Sequence, residues 1–174
     1  GDVLLVDLPS LKDINLTLRS TDKYAFQSAE GAVVLKRLSA IERLRRFCGS
    51  PGEVTLSDLD VLTIIDEGAF ETATRVTMHN LPRLQRIEDR AFASATELAC
   101  GVLPALVYIG TEAFERITIL PDLSKQMPEL EHVGDRAFAM ARGALSATRT
   151  IAHVGVDAFQ SVSAAREEKS VLPR

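Results

Sequence analysis

The seven phenylalanines of this chain stand at positions 26, 47, 70, 92, 114, 138 and 159, separated by 21, 23, 22, 22, 24 and 21 residues. A unit of that length cannot close a hydrophobic core alone. Stacked units can share one, with equivalent residues forming columns along the stack. No other feature of the sequence restricts the fold as strongly, because it dictates a solenoid before any single element is assigned.

Alignment on Phe brings further columns into phase. Ala69, Ala91, Ala113, Ala137 and Ala158 immediately precede it, and Ile65, Ile87, Ile109, Val133 and Val154 stand five residues before. Leu62, Leu84, Leu106, Leu130 and Ile151 stand eight before, and Leu59, Leu81, Leu103, Met127 and, less well, Thr148 eleven before. The spacing by three suits a 3₁₀-like arc with its apolar residues directed inward. Pro82, Pro104 and Pro128 share the position ten before Phe; lacking an N–H, proline fits an arc outside a sheet. After Phe, the alternation of Arg75-Val76-Thr77-Met78-His79 predicts a half-buried strand. The small Ala is expected where adjacent turns crowd. Arg90, Glu112, Arg136 and Asp157, two before Phe, alternate in sign and predict a surface charge ladder.

The pattern is regular over 54–160 and degenerate over 1–53, which places a single domain of about six to seven turns on residues 1–160. In the second unit Ile41 stands six rather than five before Phe47. The apolar residues at 35, 38, 41 and 44 also read as one helix face, with Gly49 and Pro51 as stop signals. A degenerate repeat and a helical cap both remain open there. Residues 161–174 contain no further unit and read as a C-terminal cap or a disordered tail.

A composition of 46% hydrophobic and 25% charged residues is that of a folded chain. No apolar run reaches the 18 to 20 residues of a membrane span. The start, "GDVLLVDLPSL", lacks a basic n-region, so no signal peptide is read there. A net charge of −4 argues against general nucleic-acid binding. Two cysteines, Cys48 and Cys100, make no disulfide framework and slightly favour an intracellular location, while the sequon at Asn15-Leu16-Thr17 points outward. No G-x-S-x-G, Walker, H-E-x-x-H or C-x-x-C motif occurs, and the recurring acids Asp66, Glu88 and Asp135 follow the repeat. The expectation is a non-enzyme without cofactor or catalytic residues.

The stretch "LPRLQRIEDRAFASATELACGVLPALVYIGTEAF" resembles the leucine-rich repeats of the BspA-like (Treponema pallidum type) class, whose unit reads approximately L-x-x-I-x-x-x-A-F-x-x-C-x-x-L-x-x-V-x-L-P. The resemblance covers Val54 to Phe159. One departure is clear: the frequent Cys three after Phe is replaced here by Ala73, Ala95, Ile117, Ala141 and Val162. The resemblance implies an α/β right-handed superhelix with a parallel β-sheet on its concave face and irregular or 3₁₀ arcs on the convex side. It also implies protein recognition rather than catalysis, often on the surface of host-associated bacteria and parasitic protists.

The outward strand positions are the candidate partner-binding face: Glu53, Thr55, Ser57, Arg75, Thr77, His79, Glu97, Ala99, Arg116 and Thr118, with Arg75 and His79 as anchors. Lys36, Arg37, Arg43, Arg45 and Arg46 form a second candidate, a basic patch for an acidic protein or phosphate. His132 and His153 share a column with Tyr108, six before Phe; stacking is expected rather than a metal site, since no third ligand is in phase. The function read from these features is protein–protein interaction on the concave face. A scaffold or self-association unit, motivated by the apolar "VLLVDLPSL" start, and a cell-surface adhesin are the alternatives.

Overall fold

The structure is a computed structural model and describes residues 3–6, 31–45, 52–145 and 150–164. Each unit from Ala32 to Ile109 contributes two strands. The alternating segments are β1 (Val3–Val6), β2 (Ala32–Lys36), β4 (Glu53–Ser57), β6 (Arg75–His79) and β8 (Glu97–Cys100), joined in parallel in the order β1-β2-β4-β6-β8. A second, six-stranded parallel sheet is built from β3 (Arg43–Leu44), β5 (Ile64–Ile65), β7 (Arg86–Ile87), β9 (Tyr108–Ile109), β10 (His132–Val133) and β12 (His153–Val154). Five full turns separate its six strands. This second sheet corrects the expected irregular arc. Two residues are too few to display a period-2 alternation, so the strand leaves no pattern to read.

The remaining elements are a two-stranded sheet of β11 (Ala144–Leu145) with β13 (Ser163–Ala164) and one helix, α1 (Leu123–Gln126). The described chain is therefore a parallel β-solenoid with almost no helix, not an α/β alternation.

Repetition of the hydrogen bonds holds the turns in register. The Thr63 carbonyl accepts from Gln85 and Arg86 N–H at 2.9 and 3.1 Å, and the Gln85 carbonyl accepts from Val107 and Tyr108 at 3.0 and 3.2 Å. Within each arc an i→i+3 bond closes the turn, as from Leu84 N–H to the Leu81 carbonyl at 3.3 Å. Pro82, Pro104 and Pro128 stand second in their four-residue turns, where a fixed φ helps and no donor is needed. The predicted 3₁₀-like spacing is realised there.

Both sheets and the arcs face one hydrophobic core. Phe70, Phe92, Phe114 and Phe138 are at most 1% exposed, as are the Ala residues preceding them. Successive rings from Phe70 to Phe159 stack with centroids 5.7, 5.3, 5.6 and 5.6 Å apart and planes within 13°. Each such contact contributes about 0.5–1.5 kcal/mol beyond burial. Ala73, Ala95, Ile117 and Ala141 are fully buried where the resembled class often carries Cys.

The unit over 31–45 is a genuine turn and the helix alternative is overturned. Leu44 pairs in register with Ile65, and Val33 and Leu35 pair with Val54 and Leu56. Leu35, Leu38 and Ile41 are fully buried and Leu44 nearly so. A spacing of three is common to a helix face and to a solenoid arc; here the next turn supplies the backbone partners. Phe26, Phe47, Cys48 and the sequon lie outside the described residues, as do residues 165–174.

Two left-handed columns escaped the sequence reading. Gly68, Arg90, Glu112, Arg136 and Asp157, all two before Phe, have φ of 59, 55, 54, 53 and 55°. Arg37, Asp58 and Asn80, each following a strand of the first sheet, have φ of 52, 55 and 53°. Left-handed geometry costs about 1–2 kcal/mol for an ordinary L-residue. Stacking offsets it, since Arg90, Glu112 and Arg136 each donate to a carbonyl of the next turn at 2.8–2.9 Å.

The first sheet stops after β8 for a local reason. The unit between Phe114 and Phe138 is 24 residues long, and Pro121 falls in the strand phase. Its extra length forms α1, whose Leu123 is fully buried. Gln126 Nε2 donates to the Cys100 carbonyl at 2.6 Å, and the Gln126 carbonyl accepts from Leu103 N–H at 2.7 Å. The helix thus closes off the sheet edge that a regular turn would have extended.

Candidate functional site

The outer face of the first sheet is assembled from rows set by parallel register. Glu53, Arg75 and Glu97 form one row, Thr55, Thr77 and Ala99 a second, and Ser57 and His79 a third. Arg75 bridges both neighbouring carboxylates. It ion-pairs with Glu53 and donates from Nε to Glu97 Oε2 at 2.8 Å. That hydrogen bond and charge hold the Glu97 carboxyl below the ordinary carboxylate range. The guanidinium is therefore satisfied within its own row, which removes it as a free anchor. His79 and Ala99 are exposed, Thr55 and Thr77 half-buried. Ser57 is a correction: it is 8% exposed and belongs with the buried residues. Below this row Asn80 Nδ2 donates to Asp58 Oδ1 at 3.0 Å, tying the two left-handed positions together.

Arg116 and Thr118 do not belong to this face. Thr118 Oγ1 donates to the Thr96 carbonyl at 3.1 Å, continuing a column in which Thr74 Oγ1 donates to Gly52 and Thr96 Oγ1 to Thr74. That column precedes the strands, and Arg116 lies two residues earlier still. In the strand phase stands Ile119, 75% exposed, bridged to Arg142. Arg116 and Thr118 stand two and four residues after Phe114, whereas β6 and β8 begin five after Phe. The alternation Arg116-Ile117-Thr118-Ile119 imitates a strand out of phase, with Ile117 in the column of Ala73 and Ala95.

The basic patch is divided rather than assembled. Lys36 lies in β2 of the first sheet, whereas Arg43 lies in β3 of the second and pairs with Asp66 at 2.6 Å. Arg37 takes the left-handed position between them, Arg45 is exposed, and Arg46 lies outside the described residues. Residues close in sequence run from one sheet into the other.

The charge ladder two before Phe is present in its first three rungs and is joined by residues one after Phe. Glu112 lies 3.7 Å from Arg90 and 3.8 Å from Arg136. Arg90 also pairs with Glu71, and Arg136 with Glu115. The result is a run of alternating charge, Glu71, Arg90, Glu112, Arg136, Glu115, on the side of the Phe turns. The arginines are exposed and the carboxylates half-buried at the surface, so each pair is worth on the order of 1 kcal/mol or less.

On the outer face of the second sheet stands a column of stacked planar groups. The Arg86 guanidinium lies 3.8 Å from the Tyr108 ring centroid. Tyr108 stacks on His132 at 4.5 Å and His132 on His153 at 4.3 Å, the last pair 7° from parallel. Sequence phase identified the two imidazoles and the phenol. It missed Arg86, because a guanidinium does not look aromatic in a column search, yet it is planar and stacks as such. Burial and the neighbouring His153 and Arg86 lower the His132 pKa, while Asp135 and Asp89 oppose the shift. Among the described residues no group of three or more His, Cys, Asp or Glu is arranged to hold a metal ion. The Cys100 thiol is half-buried and pushed up to about 11 by that burial.

The arrangement offers hydrogen bonding, charge and stacked rings on parallel sheets. No helix among the described residues is long and apolar enough to cross a membrane. Comparison of the chain with protein-family models, with curated proteins and with solved structures finds no match.

Proposed function

We propose that this chain is a leucine-rich-repeat solenoid of the BspA-like class that acts as a non-catalytic interaction module, binding a protein partner on the outer face of its first sheet. The observation that carries the reading is the contrast within β4, β6 and β8. Their inward residues Val54, Leu56, Val76 and Met78 are buried and interchangeable in kind. Their outward residues differ from strand to strand on the same fixed backbone: Glu53, Thr55, Arg75, Thr77, His79, Glu97 and Ala99. Solenoids use such repeated surfaces for recognition. The Ala-Phe columns support the class assignment. Ion pairing of Arg75 within the Glu53–Arg75–Glu97 row leaves Thr77, His79 and Ala99 as the discriminating contacts.

The test compares capture of partners by the wild type with capture by a Thr77→Arg, His79→Glu double variant and by an Ile64→Arg control on the second sheet. Proteins held by wild type and control but lost by the double variant support the reading. Equal capture by all three, or equal loss from the control, overturns it.

Self-association is the second reading, and two exposures favour it. Leu4 on β1 is 67% exposed, and in the last described turn Val156 is 72% exposed and Val154 53%, although Val154's column is buried in the preceding turns. Sedimentation velocity across a wide concentration range checks it. A single monomeric species throughout removes the reading.

A further inference from the structure

Outside the proposed interface stand the half-buried Cys100, a lone cysteine that makes no site, and the stacked column on the second sheet.

We propose that the stacked imidazoles of His132 and His153 form a pH-sensitive latch that holds the last described turn on the solenoid when neutral and loosens it on acidification. The geometry demands a coupled pair. The centroids are 4.3 Å apart and the rings 7° from parallel, so neither imidazole can take a proton without the other sensing it. Two unit charges at that separation repel, so the second proton binds the pair more weakly than the first. Such a pair titrates in two macroscopic steps that belong to both rings.

The surrounding charges do not cancel this effect. His132 is covered on its other face by Tyr108 at 4.5 Å, and beyond that ring stands the Arg86 guanidinium. The acids facing His132 are Asp89 and Asp135. Each already accepts a backbone bond at 2.8 Å, Asp89 Oδ1 from Thr111 N–H and Asp135 Oδ1 from Val156 N–H. They favour the first proton on the pair. The second must enter beside a charge already present, with Arg86 on the same stack.

The direction of the pH dependence follows. The second proton binds the folded pair below the ordinary histidine value of about 6.5, while the unfolded chain takes it at that value. The unfolded state therefore binds more protons as pH falls below about 6.5. Stability is full above that pH and declines as the pH drops toward the lowered folded value. Loss falls first on the last described turn, because among the described residues β12 pairs with β10 alone and its Val154 is already half out of the core.

Two measurements on the full 174-residue chain test the latch. The first follows the ring protons of the three histidines by NMR from pH 8 to 4.5, with exposed His79 on the other sheet as an internal reference. The expected result is one ladder midpoint at least one unit below His79 and curves for His132 and His153 that are mutually dependent. The second follows exchange of the His153 and Gly155 amides, which donate to Glu131 and Val133 carbonyls at 3.0 and 2.8 Å. After correction for intrinsic rates, the protection of both should fall at least tenfold between pH 7.5 and 5 in the wild type and stay level in His153→Phe, which keeps the stack without the proton. Independent titration of both rings at the His79 midpoint overturns the proposal without any variant. Undiminished pH dependence in His153→Phe overturns it as well.

Discussion

Replacing one ring of the phenylalanine column should cost more in the middle than at the end. Phe114 is fully buried and stacks on both sides, at 5.3 Å on Phe92 and 5.6 Å on Phe138. Phe159 is only partly buried, and among the described residues its stacking contact is with Phe138. Phe114→Leu keeps the site apolar but removes two ring contacts, about 1–3 kcal/mol together. It also leaves a small void worth about 1 kcal/mol. The expected loss is about 2–4 kcal/mol at position 114. Phe159→Leu removes one ring contact in a partly open site and should cost about 1 kcal/mol. Leucine is chosen over alanine so that both variants fold, since a domain's total stability is about 5–15 kcal/mol. Urea unfolding followed by far-ultraviolet circular dichroism gives both values from the midpoints at a common slope. Equal costs at the two positions would refute the stacked-column account, as would a cost below about 1 kcal/mol at Phe114.

Other consequences are open to simple assays. Gly134→Ala should unfold or strongly destabilise the chain, because the added Cβ would lie 2.5 Å from Thr111 N and 2.6 Å from the Gly110 carbonyl carbon; a wild-type urea midpoint would contradict that packing. Asp157→Gly relieves a left-handed residue at φ 55° and should raise stability by about 0.5–1 kcal/mol, read from the same urea curves. Cys100, with its thiol pushed up to about 11, should react with iodoacetamide at pH 8 at least tenfold more slowly than in the urea-unfolded chain, as peptide mass spectrometry can measure. Arg75→Gln should leave the thermal midpoint nearly unchanged and insensitive to salt, because the guanidinium and both its partners are exposed at the surface.

Much of the candidate site was legible because strand alternation is a local property. Glu53, Thr55, Arg75, Thr77, His79, Glu97 and Ala99 were located from the V-x-M pattern and lie on one sheet face. Arg116 and Thr118 do not, because they stand two and four after Phe114, ahead of the strand phase that begins five after Phe, and their alternation with Ile117 and Ile119 only imitates a strand. Ser57 was read as outward from its alternation, and only the packing at the end of β4 buries it. Arg75 reads as an anchor from its strand position alone, whereas its two carboxylates lie 22 residues away on either side. A long-range ion pair of that kind has no sequence signature until the register is known.

The amino-acid sequence by itself determined the period, the inward columns and therefore a stacked solenoid, because a 22-residue unit with one apolar stripe has no other way to bury it. It also determined the stacking of Tyr108, His132 and His153, since a shared phase in adjacent parallel turns brings side chains together. Only the tertiary structure decided that each turn carries a second strand at Ile87 and its equivalents, and that Arg90, Glu112 and Arg136 turn left-handed. Both depend on hydrogen bonds made to the neighbouring turn. Backbone partners supplied from outside a unit can impose a conformation that the unit's own side chains neither prefer nor advertise.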